Sequence, residues 1–116
     1  MSPISDLQDD VTPQRTRELH EAGDVQLVDV REDYEWEAGR IAGATHVPVA
    51  ELSEKAATLD RDRPVVFYCR SGARSAMATQ AFTASGFDAH NMTGGIVAWN
   101  DQGLPLEPDG GEVAPH

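Results

Sequence analysis

The chain has 116 residues, 20 acidic against 9 basic, and a net charge of −11 at neutral pH. This excess of acid leaves no basic footprint of the size nucleic acid requires, and no apolar run is long enough to span a bilayer. One cysteine excludes an internal disulfide, and the start lacks the basic-then-apolar pattern of a secretion signal, so the expectation is a soluble, cytoplasmic monomer.

Residues 1–106 read as one α/β domain in which strands and helices alternate at the spacing of βαβ units. Thr12 can cap, and Pro13 can open, a helix that runs to Ala22 and is ended by Gly23. Val25 to Val30 is a strand, Asp33 to Ala38 a short helix, and Thr45 to Val47 an extended piece closed by Pro48. Val49 to Leu59 is helical by composition, and Pro64 to Tyr68 is the next strand. An alanine-rich helix follows from Ser75 to Ser85, with Met77, Ala81 and Ala84 as its apolar face and Gly86 as its stop. Asp88 to Met92 is a last strand and Gly95 to Asp101 a last helix. Residues 107–116 are polar and rich in breakers, so a disordered acidic tail is expected there. The alternation implies an open, mostly parallel five-stranded sheet with helices on both faces, which binds ligands beyond the carboxyl ends of its strands.

The chemistry concentrates where the strand Val65–Tyr68 delivers Cys69 into the loop Arg70, Ser71, Gly72, Ala73, Arg74. Unpartnered N–H groups of a loop entering a helix, together with nearby arginines, favour a thiolate. Cys69 is therefore the candidate nucleophile, with Arg70 to Arg74 as its anion-binding cradle. Arg63 to Phe87 contains no Asp or Glu but three arginines, which suits binding a small anion on an otherwise acidic protein. Asp29 closes the second strand and Arg31 follows it, placing both as either pocket residues or a structural ion pair.

Three separated signatures give the region Thr12 to Leu106 a resemblance to the single-domain rhodanese-like sulfurtransferases. The first is Asp29-Val30-Arg31-Glu32 with Glu35-Trp36, then Gly39-Arg40-Ile41-Ala42-Gly43-Ala44 ending at Pro48. The second is the six-residue loop Cys69 to Arg74, and the third is Gly94-Gly95 with Trp99, then Gly103-Leu104-Pro105. Arg40 and His46 depart from the pattern, since the family often has histidine and asparagine there.

The resemblance implies a rhodanese-like fold and an enzyme that moves a sulfane sulfur by a ping-pong route through a Cys69 persulfide. It implies a small anionic donor such as thiosulfate, a thiol, cyanide or carrier protein as acceptor, and no metal or organic cofactor. Arg70 and Arg74 would attract the donor's oxyanion end. Two other readings stand beside it. A cysteine phosphatase or arsenate reductase uses a related loop, but with five residues between cysteine and arginine where Cys69 and Arg74 enclose four. A binding or redox-sensing module would use the same fold without turnover.

Overall fold

The computed structural model describes residues 9–108 and 110–114. Five strands, β1 (Asp10–Val11), β2 (Gln26–Asp29), β3 (Thr45–His46), β4 (Val65–Tyr68) and β5 (Ala89–Met92), form one sheet in the order β1-β5-β4-β2-β3. Every pairing between them is parallel, with Asp29 level with Tyr68 and Phe67 level with Asn91. The expected α/β class with five strands is therefore present. Its first strand, Asp10–Val11, was not among the segments read as strands, since two residues are too few to show a period of two.

The central strand β4 sends alternate side chains to two cores. Val66 and Tyr68 pack with Leu19 of α1 (Pro13–Glu21) and with Ile96 and Trp99 of α5 (Gly95–Asp101). Val65, Phe67 and Cys69 pack on the other side with Ala78 and Phe82 of α4 (Ala73–Ala84) and with Leu52 of α3 (Leu52–Lys55). Phe67 meets Phe82 edge-on at 4.9 Å, and burying each ring contributes roughly 1.5–3 kcal/mol. Helices thus cover both faces, and Cys69 emerges from the centre of the sheet.

Local signals account for the helix ends. Thr12 Oγ1 accepts the Arg15 N–H at 3.1 Å and Pro13 opens α1. Helix α2 (Asp33–Ala38) starts with a reciprocal capping box between Glu32 and Glu35.

Three expectations need correction. The segment 49–59 is not one helix: α3 is a single turn between two 3-10 turns, Val49–Glu51 and Ala56–Thr58. Leu52 is the only buried residue there, so no apolar stripe sustains a longer helix. Helix α4 spans Ala73–Ala84, but its inner face is Ser75, Ala78, Thr79 and Phe82 and not the expected Met77, Ala81 and Ala84. Met77, by contrast, is 71% exposed. The inward serine and threonine are hydrogen-bonded, which lets polar residues occupy the buried face and hides its period from a reading based on apolarity. The segment after Leu106 was expected to be disordered, yet its described part is attached. Glu107 exchanges backbone hydrogen bonds with Arg40, Glu112 donates to the Ala38 carbonyl at 2.8 Å, and Val113 packs on the α1–α5 core. Backbone pairing and one apolar side chain hold it despite its composition. The expected tail positions 109, 115 and 116, like residues 1–8, lie outside the described residues.

Candidate active site

Cys69 follows β4 directly, at the carboxyl edge of the sheet. Its Sγ accepts the Gly72 N–H at 3.0 Å and lies 3.4 Å from the Ser75 hydroxyl. Gly72 caps α4 with φ +116°, a left-handed conformation that a side chain would strain, and this turn folds the loop back over the sulfur. Burial pushes the Cys69 thiol up. Hydrogen bonds from the Ser75 hydroxyl and from the N–H groups of Ser75, Gly72 and Arg74 outweigh it and hold the thiol below its ordinary value. The lowering comes first from the Ser75 hydroxyl and then from backbone N–H groups of the loop and the first turn of α4. Arg74 and the thiolate also favour each other's charged form.

Arg74 is not open to a ligand in the way the sequence implied. Its Nη1 and Nη2 donate to Glu35 Oε1 and Oε2 at 2.8 and 3.0 Å, a two-pronged pair joining α4 to α2 across 39 residues. Burial alone would raise the Glu35 carboxyl, but the bonds from Arg74 and from the Glu32 N–H hold it below the ordinary carboxylate range. The acid-free sequence window is thus supplied with a buried carboxylate from elsewhere. Arg63 leaves the group altogether: it sits ahead of β4 and donates to the Gly23 and Val25 carbonyls. Arg70 remains at the site, half-buried, with its Nε donating to the Ala114 carbonyl at 3.2 Å. Among the described residues no carboxylate pairs with it. Ser71 and Ala73 are exposed on the loop's outer side.

Asp29 and Arg31 are both fully buried, and Arg31 Nη2 meets Asp29 Oδ2 at 2.6 Å. The Asp29 carboxylate also accepts the Arg31 N–H, and Arg31 donates onward to the Gly39 carbonyl at 2.8 Å. They are a structural pair beneath the loop and do not line an open cleft. Tyr68, level with Asp29 and next to Cys69, accepts the Ile41 N–H; burial raises its phenol well above the usual value, so it stays neutral.

The two departures from the family pattern meet at one residue. The Arg40 guanidinium lies 5.1 Å from the Trp36 ring centroid, while His46 stacks on Trp36 at 4.8 Å with planes 9° apart. His46 Nε2 lies 2.7 Å from the Arg31 carbonyl. Both replacements therefore buttress α2, the helix that presents Glu35.

Several positions that shape the loop were not singled out from sequence. The N–H groups of Ile96 and Val97, in the first turn of α5, donate to the Cys69 and Arg70 carbonyls at 2.9 and 3.1 Å. Because peptides are planar and trans, pinning those carbonyls turns the N–H groups of Arg70 and Ser71 away from α5. A methyl at Gly95 would overlap the same two carbonyls, so this approach requires glycine, as the Gly94-Gly95 doublet could have signalled. Ser75 and Asn91 are the others, and only their burial in three dimensions marks them. Among the described residues no group of three His, Cys, Asp or Glu side chains is placed to hold a metal.

This arrangement surrounds the Cys69 sulfur with N–H donors, which suits it to stabilising negative charge there. Comparisons with known proteins agree with it. Residues 12–102 match the Rhodanese-like domain family. The chain is 40% identical over 82 residues to the putative sulfurtransferase YtwF of Bacillus subtilis, covering 71% of this chain and 80% of that protein. It is 31% identical to the thiosulfate sulfurtransferase GlpE of Pseudomonas aeruginosa, covering 95% of this chain and 99% of that one. Against an HTH-type transcriptional regulator of Mycobacterium tuberculosis, Rv0324, 39% identity extends over 86% of this chain but only 45% of the relative's length. The crystal structure of a rhodanese-related protein from Thermoplasma volcanium superposes with a TM-score of 0.79 at 30% identity, covering 85% of this chain and 97% of that one. By fold, by the cysteine loop and by relatedness along most of its length, the chain belongs to the rhodanese-like domain family.

Proposed function

We propose that the protein is a sulfurtransferase that carries sulfane sulfur on Cys69, with thiosulfate or a similar small anion as donor. The Cys69 thiolate attacks the outer sulfur of the donor, the donor's S–S bond breaks, and sulfite leaves with the bonding electron pair. The resulting persulfide is then attacked at its terminal sulfur by a thiolate or cyanide acceptor, which returns Cys69 as thiolate. The observation that carries this reading is the Gly72 N–H directed at Sγ, with the Ser75 hydroxyl 3.4 Å away, in a loop whose Cys69 and Arg70 carbonyls are held by α5. The name of the Pseudomonas relative supports thiosulfate as the donor to try first. Arg70 is the cation placed to draw the donor's oxyanion end toward the loop. A monomer working in the reducing cytoplasm, with a thiol or a carrier protein as acceptor, completes the proposal.

The phosphatase reading loses support, because Arg74, the residue that would grip a phosphoryl group, is held at both prongs by Glu35. Intact-mass measurement of the reduced protein before and after thiosulfate tests the reading directly. One added sulfur atom, removed by reductant and missing in Cys69→Ser, is the expected result. A folded protein with a free thiol that gains no sulfur from thiosulfate would overturn that choice of donor.

A further inference from the structure

The Ser75 hydroxyl has one proton and three acceptors around it. Asn91 Oδ1 lies 2.5 Å away, the Gly72 carbonyl 3.2 Å and Cys69 Sγ 3.4 Å. One proton cannot serve all three at once, so Asn91, the nearest acceptor, competes with the sulfur for it. Ser75 is fully buried, so water does not readily replace the partners of its hydroxyl, while Asn91, 8% exposed, borders an open cavity. Asn91 differs from every other neighbour of Ser75 in one respect: its amide offers an acceptor at one corner and a donor at the other, and a half-turn exchanges them. Its Nδ2 now reaches the Gly72 carbonyl at 3.5 Å, a long contact, and that carbonyl also accepts the Ala76 N–H at 2.9 Å, so it keeps a partner when the amide turns.

We propose that Asn91 is a positioning residue, which by turning its side-chain amide sets whether the Ser75 proton points to Asn91 or to Cys69. When Cys69 is a thiol, its S–H donates to Ser75 Oγ and the Ser75 O–H donates to Asn91 Oδ1. When the thiol proton is lost to solvent base, the amide turns, Nδ2–H donates to Ser75 Oγ, and the Ser75 O–H donates to the thiolate. No covalent bond other than S–H changes. The chain Asn91–Ser75–Cys69 thus reverses its direction with the charge on sulfur, and the same donor is presented to the persulfide anion. The inference rests on Cys69 as the reacting thiolate of the proposed function, but its test reads protonation and does not need sulfur transfer.

Other charges face this relay. Arg70 and Arg74 lie on the loop side, Arg74 with Glu35 of α2 against it. Asp9 and Asp10 of the β1 segment share with Asn91 the lining of a cavity of about 570 Å³. The first turn of α5 carries no charged side chain. A measurement must therefore separate a path through Ser75 from a field acting through space.

The reduced wild-type protein serves as the first probe. Cys69 is the single cysteine, so ultraviolet thiolate absorbance against pH reports its midpoint without ambiguity. NMR of the Asn91 side-chain amide over the same range is expected to move with that midpoint, and to lose this movement in Ser75→Ala. Amide resonances that stay still, or that move equally in Ser75→Ala, overturn the proposal. Asn91→Asp supplies a second test, since a carboxylate only accepts and keeps the Ser75 proton. It is expected to disfavour the thiolate by about tenfold or more, the scale of one hydrogen bond to a charged group, and by clearly less in a Ser75→Ala background. An equal shift in both backgrounds, or none, overturns it. Should Asn91→Asp fail to fold by circular dichroism, the amide readout on the wild type decides alone.

Discussion

Two arginine–carboxylate pairs lie close to the cysteine loop, one wholly buried and one partly exposed, and they are built differently. Arg31 and Asp29 are two residues apart, both wholly buried at the end of β2, and their hydrogen bonds run into the surrounding backbone. Arg74 and Glu35 are 39 residues apart, with the guanidinium 22% exposed and the carboxylate fully buried, and they tie two helices together beside the sulfur. A short-range pair fixes the local path of the chain; a long-range pair fixes how one element sits on another. The first therefore belongs to the stability of the sheet edge. The second also belongs to the shape of the loop, because the Arg74 N–H is among the donors that hold the Cys69 thiol below its ordinary value.

The largest effect expected from breaking this comparison is in Asp29→Ala. It leaves the Arg31 charge buried without its partner, and losing one member of such a pair typically costs about 3–5 kcal/mol. That is a large part of the roughly 5–15 kcal/mol that holds a small domain together. Urea unfolding should show a midpoint far below wild type, while the alkylation rate of Cys69 in the folded protein stays close to it. Arg74→Ala comes next. Its guanidinium is partly solvated, so water replaces some of what is lost, and a cost of about 1–3 kcal/mol is expected from leaving Glu35 unsatisfied. Here the Cys69 alkylation rate at neutral pH should fall as well. A stability loss with unchanged Cys69 reactivity would erase the distinction between the two pairs.

The first pair was legible in the sequence and the second was not, for a reason of distance along the chain. Asp29 and Arg31 stand close enough that their spacing offered a turn or ion pair beside the reading as pocket residues. The Glu32–Glu35 capping box is equally local, yet nothing near Glu35 tells that its carboxylate turns inward to Arg74. The strand Val65–Tyr68, the position of Cys69 and the glycine of its loop were readable because apolar runs and breakers act on near neighbours. The pinning of the loop carbonyls by α5, the attached segment after Leu106 and the Ser75–Asn91 contact arise from packing between separate elements. The inner face of α4 was misread for a related reason: Ser75 and Thr79 are buried because they are hydrogen-bonded there, which composition alone does not reveal.

Acid sharpens the comparison further. The Glu35 carboxyl is held below its ordinary value in the folded state, so the stability it contributes is fully present above the unfolded value of about 4.3 and is lost as pH falls through the folded one. Glu35→Gln removes that dependence. Its unfolding free energy should fall less steeply than that of wild type below about pH 4.3, although it starts lower at neutral pH because Arg74 has lost its charge partner. Parallel acid profiles for the two proteins would show that Glu35 does not titrate with folding.

The smallest effect on stability is expected at Arg70, the cation of the loop that neither pair employs. Its side chain reaches only the Ala114 carbonyl among the described groups, and a neutral acceptor at 3.2 Å on a half-buried arginine contributes little to folding. Arg70→Ala should therefore unfold within about 0.5 kcal/mol of wild type, the usual range for a surface change. If Arg70 recruits the donor, the same variant should raise the KM for thiosulfate about tenfold or more, the scale of one lost hydrogen bond to a charged group. Transfer from a persulfide donor, which has no sulfonate oxygens for Arg70 to hold, should be less affected. Equal losses with both donors would place Arg70 in the support of the loop, together with Arg74, and would leave the oxyanion end of thiosulfate to the backbone N–H groups alone.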